Sequence, residues 1–282
     1  MRFFLVIQAF VLTKLLYIGG YGRSGSTLLE YLLAARSDVV ACGEIMACAH
    51  ELTAPRCSCG QPRNLCPVWG AVLARGAPSG SWTHQALTRA LLASVANDYA
   101  LLIDSSKTAW QSFRMPFVFR QELGEDFRLI HTVRDPHGVC WSNVAGKRRR
   151  RGKLLPEIQN SPRRFIRHLR TLLGWWAANL DCEVFAWRHP TQYVRVRYED
   201  LVNAPEETLD QIFRKLRLGP GPKLDDLSIS KNRHQLFGNR VRYRAPSRSD
   251  IRPDVRWTKE MKPLDRWLVS AFSWPLRARY DY

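Results

Sequence analysis

Short apolar runs bounded by polar residues recur along the chain, with room for a helix between them. Four of these runs, at residues 15–18, 38–42, 100–103 and 127–133, have the composition of buried strands. Residues 192–198 alternate apolar and polar positions, as a half-buried strand does. Strands that alternate with helical stretches are typical of a parallel sheet, so the pattern predicts an α/β fold.

Helical spacing of apolar residues predicts helices between and after these strands. Thr83 and Asp135 are good N-caps, and Pro136 is preset for the first position of a helix. The 282 residues suffice for one large domain, and we predict a single three-layer domain over 1–282, with helices on both faces of a central parallel sheet. The predicted helices cover residues 27–35, 83–96, 110–123, a segment from 136, 161–188, a segment from 199, and 263–276.

Two groups of ring-bearing side chains within these elements are expected in the core. Trp175, Trp176, Phe185 and Trp187 lie in the predicted helix 161–188, where packing is the expected role of large aromatic residues rather than contact with a cofactor. His131 lies inside a predicted strand. We therefore expect it to be packed rather than catalytic.

A loop rich in glycine and serine joins the first predicted strand to the first predicted helix. Residues 20–27 fit the G-x-x-x-x-G-K-[ST] template of nucleotide-binding loops, except that Ser26 stands in place of the lysine. The backbone N–H groups of such a loop and the positive end of the helix dipole converge on one point, which suits a phosphate or sulfate group. The nearest cation is Arg23. The loop thus suits an anion held by hydrogen bonds and one guanidinium, with a plain strand-to-helix turn as the alternative.

The run RSGSTLL at residues 23–29 resembles the phosphosulfate loop of sulfotransferases that use 3′-phosphoadenosine 5′-phosphosulfate. The closest resemblance is to the branch with bacterial, carbohydrate and tyrosylprotein sulfotransferases. It implies a P-loop fold, this cosubstrate, and chemistry that needs no metal. It also implies cosubstrate contacts from the loop residues Arg23, Ser24, Gly25, Ser26, Thr27 and Leu28.

Three later segments extend the resemblance. Arg134-Asp135-Pro136 followed by Ser142 is similar to the family's site for the 3′-phosphate, with Arg134 and Ser142 as ligands. Tyr198, in a Tyr-Glu-Asp-Leu motif, would lie near the adenine ring. A looser Gly-Asn-x-x-Arg match, for which a plain basic loop is the alternative, adds the candidate phosphate contacts Asn239, Arg240 and Arg242.

Two charged residues follow predicted strands at the edge of the sheet where ligands of open parallel sheets bind. In related sulfotransferases a Gly-Glu pair at about this distance after the loop supplies the base that removes the acceptor proton, so the resemblance implies that Glu44 is the base. Lys107 would neutralise charge on the sulfuryl group or its leaving oxygen, together with Arg23. The alternatives are a capping or salt-bridging glutamate and a solvated lysine.

Cys57, Cys59 and Cys66 lie within ten residues of one another. They could bind zinc with Cys42 or Cys48 as the fourth ligand, form a disulfide, or pack as reduced thiols. Because the spacing is not C-x-x-C and no second pair follows, we expect no metal here. The resemblance implies a structural or acceptor-side role for the segment, within an insertion at 45–82. A second insertion at 145–165 is also expected on the acceptor side.

The positive charge of the chain is concentrated in its second half. Residues 1–133 carry 12 Lys and Arg against 9 Asp and Glu, and residues 134–282 carry 31 against 16. A field of this sign favours anionic partners such as a nucleotide, an acidic glycan, nucleic acid or an anionic membrane. The basic run at 147–153 lacks a stacking or recognition motif, so we expect a solvated loop there and no nucleic-acid partner.

Residues 1–12 carry an arginine at position 2 followed by an apolar run, as a signal peptide does. No small-residue cleavage site follows, and the run is too short to span a bilayer. We expect a leading strand or an apolar extension and a cytoplasmic protein, with peripheral membrane contact through this segment as the alternative.

The sequence as a whole favours an O-sulfotransferase that acts by in-line displacement. Its acceptor would carry a hydroxyl group, and an anionic acceptor is one option. The sequence leaves a glycan, a lipid, a small metabolite and a peptide tyrosine as alternative acceptors. A P-loop kinase or ATPase is the second enzymatic hypothesis, disfavoured because Ser26 replaces the lysine. A non-catalytic basic protein that binds nucleic acid or membranes is the third.

Overall fold

A five-stranded parallel sheet lies at the centre of the protein. The computed structural model describes residues 13–50, 54–77, 81–145, 149–150, 153–154, 163–224, 232–238 and 251–282. The strand order is β2-β3-β1-β4-β7, and every neighbouring pair is parallel. A separate antiparallel hairpin contains β5 and β6. The strands are β1 (Lys14–Gly20), β2 (Val39–Ala41), β3 (Leu101–Asp104), β4 (Phe127–Val133), β5 (Arg149–Arg150), β6 (Lys153–Leu154) and β7 (Tyr193–Arg197).

Helices cover both faces of the sheet, as the sequence predicts. Alternate residues of β1 show the two layers, because Leu15 and Tyr17 pack into one apolar cluster while Leu16 and Ile18 pack into another. A strand buried on both faces reads as a continuous apolar run, which is the pattern at 15–18. The helices are α1 (Ser26–Leu33), α2 (Ile45–His50), α3 (Trp69–Arg75), α4 (His84–Val95), α5 (Met115–Leu123), α6 (Pro136–Ala145), α7 (Arg163–Arg188), α8 (Tyr198–Asn203), α9 (Pro205–Lys215), α10 (Trp257–Glu260) and α11 (Pro263–Arg279).

Capping follows the sequence at α4 and α6. The Thr83 hydroxyl accepts a hydrogen bond from the Ala86 N–H at 3.1 Å. Asp135 Oδ1 accepts one from the His137 N–H at 2.8 Å, so it caps the helix that Pro136 begins. Each carboxylate or hydroxyl satisfies an N–H group that has no partner within its helix.

The prediction of one helix over 110–123 is wrong. A short 3-10 turn, Trp110–Ser112, precedes α5, and the two are separated because Arg114 takes a left-handed conformation with φ +63°. That conformation directs the Arg114 N–H to the Asp181 carboxylate, 3.0 Å away, instead of to a helical carbonyl. The chain therefore turns between the two pieces.

The expectation that four aromatic residues of α7 are in the core holds for Trp175 and Phe185, which are both fully buried. It is wrong for Trp187, whose exposed fraction is 79%. Two residues of helix rotate the side chain by about 200°, so Trp187 lies on the face opposite to Phe185. Trp176 is half-buried and donates its indole N–H to the Phe272 carbonyl at 2.7 Å.

Several sequence predictions lie outside the described residues. These are the role of residues 1–12, positions 147, 148, 151 and 152 of the basic run, and the candidate contacts Asn239, Arg240 and Arg242. The described part of the basic run belongs to the hairpin of β5 and β6, so the expectation of a loop is wrong there. Among the described residues, no helix has both the length and the apolar character that crossing a bilayer requires.

His131 is buried in the middle of β4, as expected for a packed residue. Its Nε2 lies 2.7 Å from Asn179 Oδ1, and its Nδ1 lies 2.8 Å from the Tyr193 hydroxyl. Burial lowers the pKa of His131 to about 4, against the hydrogen bond to Asn179, which raises it. The folded protein thus holds the imidazole in its neutral form.

We predict that His131 makes the fold sensitive to acid. Its folded pKa lies below the ordinary value near 6.5, so it stabilises the fold above that pH, and the contribution is lost as the pH falls toward 4. Between about pH 7.5 and about pH 4.5, wild type should lose roughly 2 kcal/mol more unfolding free energy than His131→Gln. Urea unfolding at the two pH values measures the difference, and equal losses in both proteins would contradict the prediction.

Candidate functional site

The loop after β1 ends in a helix whose first N–H groups have no side-chain cap. Arg23 and Gly25 take left-handed conformations, with φ +73° and +89°. The first helical hydrogen bond of α1 joins the Leu29 N–H to the Gly25 carbonyl at 2.9 Å. The N–H groups of residues 26–28 come before it and therefore have no acceptor within the helix. Such a start is a binding position for an anion.

Ser24 adds a hydroxyl group to this loop. Its Oγ is buried and has no hydrogen-bond partner among the described residues. Buried hydroxyl groups without a partner are rare in folded proteins. An oxyanion in the loop would supply the missing acceptor, which makes the loop a fitting cradle for a phosphate or sulfuryl group.

The ring of Tyr198 and the guanidinium of Arg134 pack against this loop. A Cβ atom on Gly25 would lie 2.7 Å from Tyr198 Cδ2, so only glycine permits this approach. The Arg134 guanidinium carbon lies 4.3 Å from the centre of the Tyr198 ring. The three segments that the sequence predicts as cosubstrate contacts, near residues 25, 134 and 198, therefore meet in the structure.

Arg134 is more enclosed than its predicted role as a phosphate ligand requires. Its exposed fraction is 6%, and it donates to the carbonyls of Arg23 at 3.1 Å and Asp254 at 2.9 Å. A guanidinium has five N–H donors, so these bonds leave further ones for a ligand. Ser142 lies in α6 and is half-buried. Sequence reasoning missed the contact of Arg134 with the loop, because nothing in the motif reports it.

Glu44 and Lys107 lie at the carboxyl ends of β2 and β3 and contact each other directly. Lys107 Nζ is 2.5 Å from Glu44 Oε1, and the exposed side-chain fractions are 17% and 31%. The lysine stem passes over the loop, since a Cβ on Gly22 would lie 3.8 Å from Lys107 Cδ. The expected meeting of the base candidate, the lysine and the loop at one sheet edge is thus present in the fold.

The backbone on either side of Glu44 is held by buried side chains that accept hydrogen bonds. Glu30 Oε1 accepts from the Gly43 N–H at 2.7 Å, and Asp104 Oδ1 accepts from the Ile45 N–H at 3.4 Å. The Ser106 hydroxyl accepts from the Met46 N–H at 2.9 Å. These contacts fix the start of α2, and with it the direction in which Glu44 leaves the backbone.

Asp104 and Glu30 are both almost completely buried. Burial raises the pKa of Glu30, while hydrogen bonds from Gln235, Ser105 and the Gly43 N–H oppose that shift. Asp104 Oδ2 lies 2.6 Å from His84 Nε2. Sequence reasoning missed these acids as positioning groups, although a glutamate within the apolar run LLEYLL at residues 28–33 is an unusual residue for a buried helix face.

The cysteine segment contacts a residue from a distant part of the chain. The sulfur atoms of Cys57, Cys59 and Cys66 lie within 4.8 Å of one another and of a ring nitrogen of His234. All cysteines of the described residues are free thiols. The sequence pointed to Cys42 or Cys48 as the fourth member of this group, and it gave no indication of His234.

Three solved structures resemble this fold over most of the chain. A sulfotransferase domain from the curacin biosynthetic pathway has 19% identity and a TM-score of 0.57, covering 92% of this chain and 96% of that one. A sulfotransferase domain from the olefin synthase of Synechococcus PCC 7002 has 17% identity and a TM-score of 0.50, covering 92% and 93%. Sulfotransferase STF9 from Mycobacterium avium has 12% identity and a TM-score of 0.51, covering 96% and 77%. At these identities the likeness supports the fold alone.

Two comparisons concern the sequence itself. In the first, no curated protein matches the chain. The model described as the sulfotransferase family matches residues 16–219, a range that includes the loop, Glu44, Lys107, Arg134 and Tyr198. The chain therefore belongs to the sulfotransferase family.

Proposed function

We propose that this protein transfers the sulfuryl group of 3′-phosphoadenosine 5′-phosphosulfate to a hydroxyl group of an acceptor. The observation that carries the proposal is the Glu44–Lys107 pair, with 2.5 Å between Oε1 and Nζ, beside an uncapped helix start. This arrangement puts a carboxylate and a cation next to a cradle for an anion. Family membership supports sulfuryl transfer in general.

Transfer by in-line displacement needs a base, a stabilised sulfuryl group and a leaving group. Glu44 takes the proton of the acceptor hydroxyl. At the same time the hydroxyl oxygen of the acceptor forms a bond to sulfur, and the bond from sulfur to the leaving phosphate oxygen breaks. Adenosine 3′,5′-bisphosphate leaves with the bonding electrons. Positioning and charge stabilisation supply most of the catalysis in such displacements.

Lys107 has two tasks in this mechanism. Before reaction its ammonium group contacts the Glu44 carboxylate and holds it in place beside the loop. As Glu44 accepts the proton and becomes neutral, the ammonium group is released to stabilise the charge on the sulfuryl oxygens or the leaving oxygen. Arg23 and the loop N–H groups add to that stabilisation.

The cosubstrate contacts are proposed from the loop and the residues around it. The loop, from Arg23 to Leu28, would hold the phosphosulfate, with the unpaired Ser24 hydroxyl as one donor. Tyr198 would stack near the adenine, and Arg134 would bind the 3′-phosphate while it also supports the Arg23 carbonyl. Ser142 and the segment with Asn239, Arg240 and Arg242 stay predicted contacts.

The acceptor side is proposed to be the insertion at 45–82, since α2 begins directly after Glu44. An anionic acceptor would suit the positive charge of residues 134–282. The mechanism needs no metal for the transfer itself. A single domain over 1–282, the cytoplasmic location and peripheral membrane contact stay predictions.

Binding of the nucleotide product separates this proposal from a kinase and from a basic scaffold. We expect adenosine 3′,5′-bisphosphate at about 100 times its dissociation constant to stabilise the fold by roughly 2.7 kcal/mol, or about 5 to 10 °C in Tm. A thermal-shift assay with ATP and magnesium as the comparison measures this. A shift with ATP and magnesium alone would indicate a kinase, and no shift with either would favour the scaffold.

Replacement of Glu44 tests the base. We expect Glu44→Gln to bind the bisphosphate as wild type does and to lose about 100-fold or more in turnover, the usual scale for a general base. A panel of hydroxyl acceptors with the radiolabelled cosubstrate first identifies one that reacts. The matched control is Glu122→Gln, the same chemical change at an exposed position of α5, which should keep full activity. Normal turnover of Glu44→Gln would remove Glu44 from this role.

Replacement of Arg134 tests the phosphate contact. Hydrogen bonds to charged groups contribute about 1.5–3 kcal/mol, so Arg134→Ala should weaken bisphosphate binding by about 10- to 100-fold. Calorimetric titration measures the affinity, and Arg89→Ala, an exposed arginine of α4, is the matched control. An affinity for Arg134→Ala equal to that of wild type would mean that Arg134 serves only the loop backbone.

A further inference from the structure

Three sulfur atoms and one imidazole converge outside the proposed catalytic site. The potential ligand atoms of Cys57, Cys59, Cys66 and His234 all lie within 4.8 Å of one another. Cys66 Sγ is 3.2 Å from His234 Nδ1. In a tetrahedral zinc site, metal distances of about 2.3 Å to sulfur and about 2.0–2.1 Å to nitrogen put the ligand atoms about 3.6–3.8 Å apart. The four atoms therefore lie within small side-chain movements of that arrangement.

We propose that Cys57, Cys59, Cys66 and His234 bind a zinc ion in a closed structural site. Three thiolates and one imidazole form a common ligand set of structural zinc. Soft sulfur ligands in a tetrahedral arrangement also favour zinc over magnesium or calcium. Four protein ligands leave no position for a substrate, so the ion supports the fold and takes no part in sulfuryl transfer.

The backbone around the cysteines is shaped as a turn that presents its sulfurs to one point. The Cys57 N–H bonds to the Gln61 carbonyl at 2.9 Å, and the Gly60 N–H bonds to the Cys57 carbonyl at 3.0 Å. Gly60 takes φ +89°, a conformation that favours glycine. The turn closes between Cys57 and Gln61, so Cys59 lies at its tip and its sulfur can reach that of Cys57.

Backbone N–H groups point at all three sulfur atoms. The Cys57 sulfur accepts from the Cys59 N–H, the Cys59 sulfur from the Gln61 N–H, and the Cys66 sulfur from the Trp69 N–H. Such donors can also bond to the sulfur atoms of thiolates, the form in which cysteine binds a metal.

The four potential zinc ligands are largely shielded from solvent. Cys57, Cys66 and His234 are buried, and Cys59 is half-buried. The Trp69 indole N–H donates to the His234 carbonyl at 2.5 Å, which holds the histidine backbone against α3. A thiolate without a counter-charge is costly to bury, and a divalent cation at the centre of the group would remove that cost.

The ion would join two segments that are distant in sequence. The segment 232–238 lies beside β2, where the His234 N–H bonds to the Ala41 carbonyl at 2.7 Å and the Ala41 N–H bonds to the Asn232 carbonyl at 2.9 Å. A Cβ on Gly43 would lie 2.8 Å from the Phe237 carbonyl oxygen. The metal would thus hold this segment against the residues that precede Glu44. Its importance for catalysis by Glu44 rests on the proposed function, whereas metal binding itself does not.

The metal content of the full-length protein tests the proposal. The protein is purified under reducing conditions without chelator, and elemental analysis should find about one zinc ion per chain. Replacement by Co²⁺ should give the intense visible bands of tetrahedral cobalt bound to thiolates. Less than about 0.1 zinc per chain, both as purified and after Zn²⁺ is offered to the reduced protein, would overturn the proposal.

Variants assign the ion to this group. Loss of a hydrogen bond to a metal ligand weakens metal binding by roughly 10- to 100-fold, so loss of a ligand in Cys59→Ser or His234→Gln should weaken zinc binding by more than that. Competition with a chromophoric chelator measures the affinity. Cys140→Ala, which replaces a buried cysteine of α6 packed against α7 and α11, is the control and should keep wild-type affinity. Equal affinity in all three variants would place the zinc elsewhere and overturn the assignment. If a variant does not fold, the cobalt spectrum of wild type still decides whether thiolates hold the ion.

A disulfide is the competing state of the same cysteines. Mass spectrometry after alkylation without reduction should find Cys57, Cys59 and Cys66 alkylated once zinc has been removed by chelator. A disulfide between any two of them in the freshly purified protein, together with absence of zinc, would overturn the proposal. The bisphosphate thermal shift is read separately, so failure of the zinc site and failure of the proposed function are distinguishable.

Discussion

The buried carboxylate of Glu30 connects the three chain segments that meet at the site. Glu30 belongs to α1, the helix that follows the loop, and accepts from the Gly43 N–H after β2 and from the Ser105 hydroxyl after β3. Its exposed fraction is 2%, and burial raises its pKa. A buried carboxylate is tolerated only with well-placed donors, so its partners have little freedom to move. One side chain therefore sets the position of the loop helix relative to the backbone that carries Glu44 and Lys107.

The parallel sheet explains why local patterns in the sequence predicted that Glu44, Lys107 and the loop meet at one edge. Glu44, Lys107 and the loop each follow a strand, and the carboxyl ends of parallel strands meet at one edge. The apolar runs were recognisable because β1 is buried on both faces. Once the fold class was known, three separate motifs had to converge there, and the 2.5 Å contact between Lys107 and Glu44 is the result.

What the sequence could not predict depends on pairing between distant segments. His234 joins Cys66 across 168 residues, and Arg134 reaches the Arg23 carbonyl across 111. No local period or motif encodes such contacts, because they arise when the sheet aligns the segments. The break at Arg114 has the same origin, since the Asp181 carboxylate on α7 accepts the N–H that a continuous helix would have used.

Both basic residues of the proposed sulfuryl site, Arg23 and Lys107, have left-handed backbone conformations, with φ +73° and +69°. A left-handed conformation costs a residue other than glycine about 1–3 kcal/mol, and it persists only where the surrounding contacts determine it. At Lys107 the N–H bonds to the Ile18 carbonyl at 3.1 Å, and its carbonyl accepts from the Tyr17 hydroxyl. At Arg23 the carbonyl accepts from Arg134. The fold thus fixes the backbone of both cations before any ligand binds, which reduces the reorganisation needed when charge develops on a transferred group.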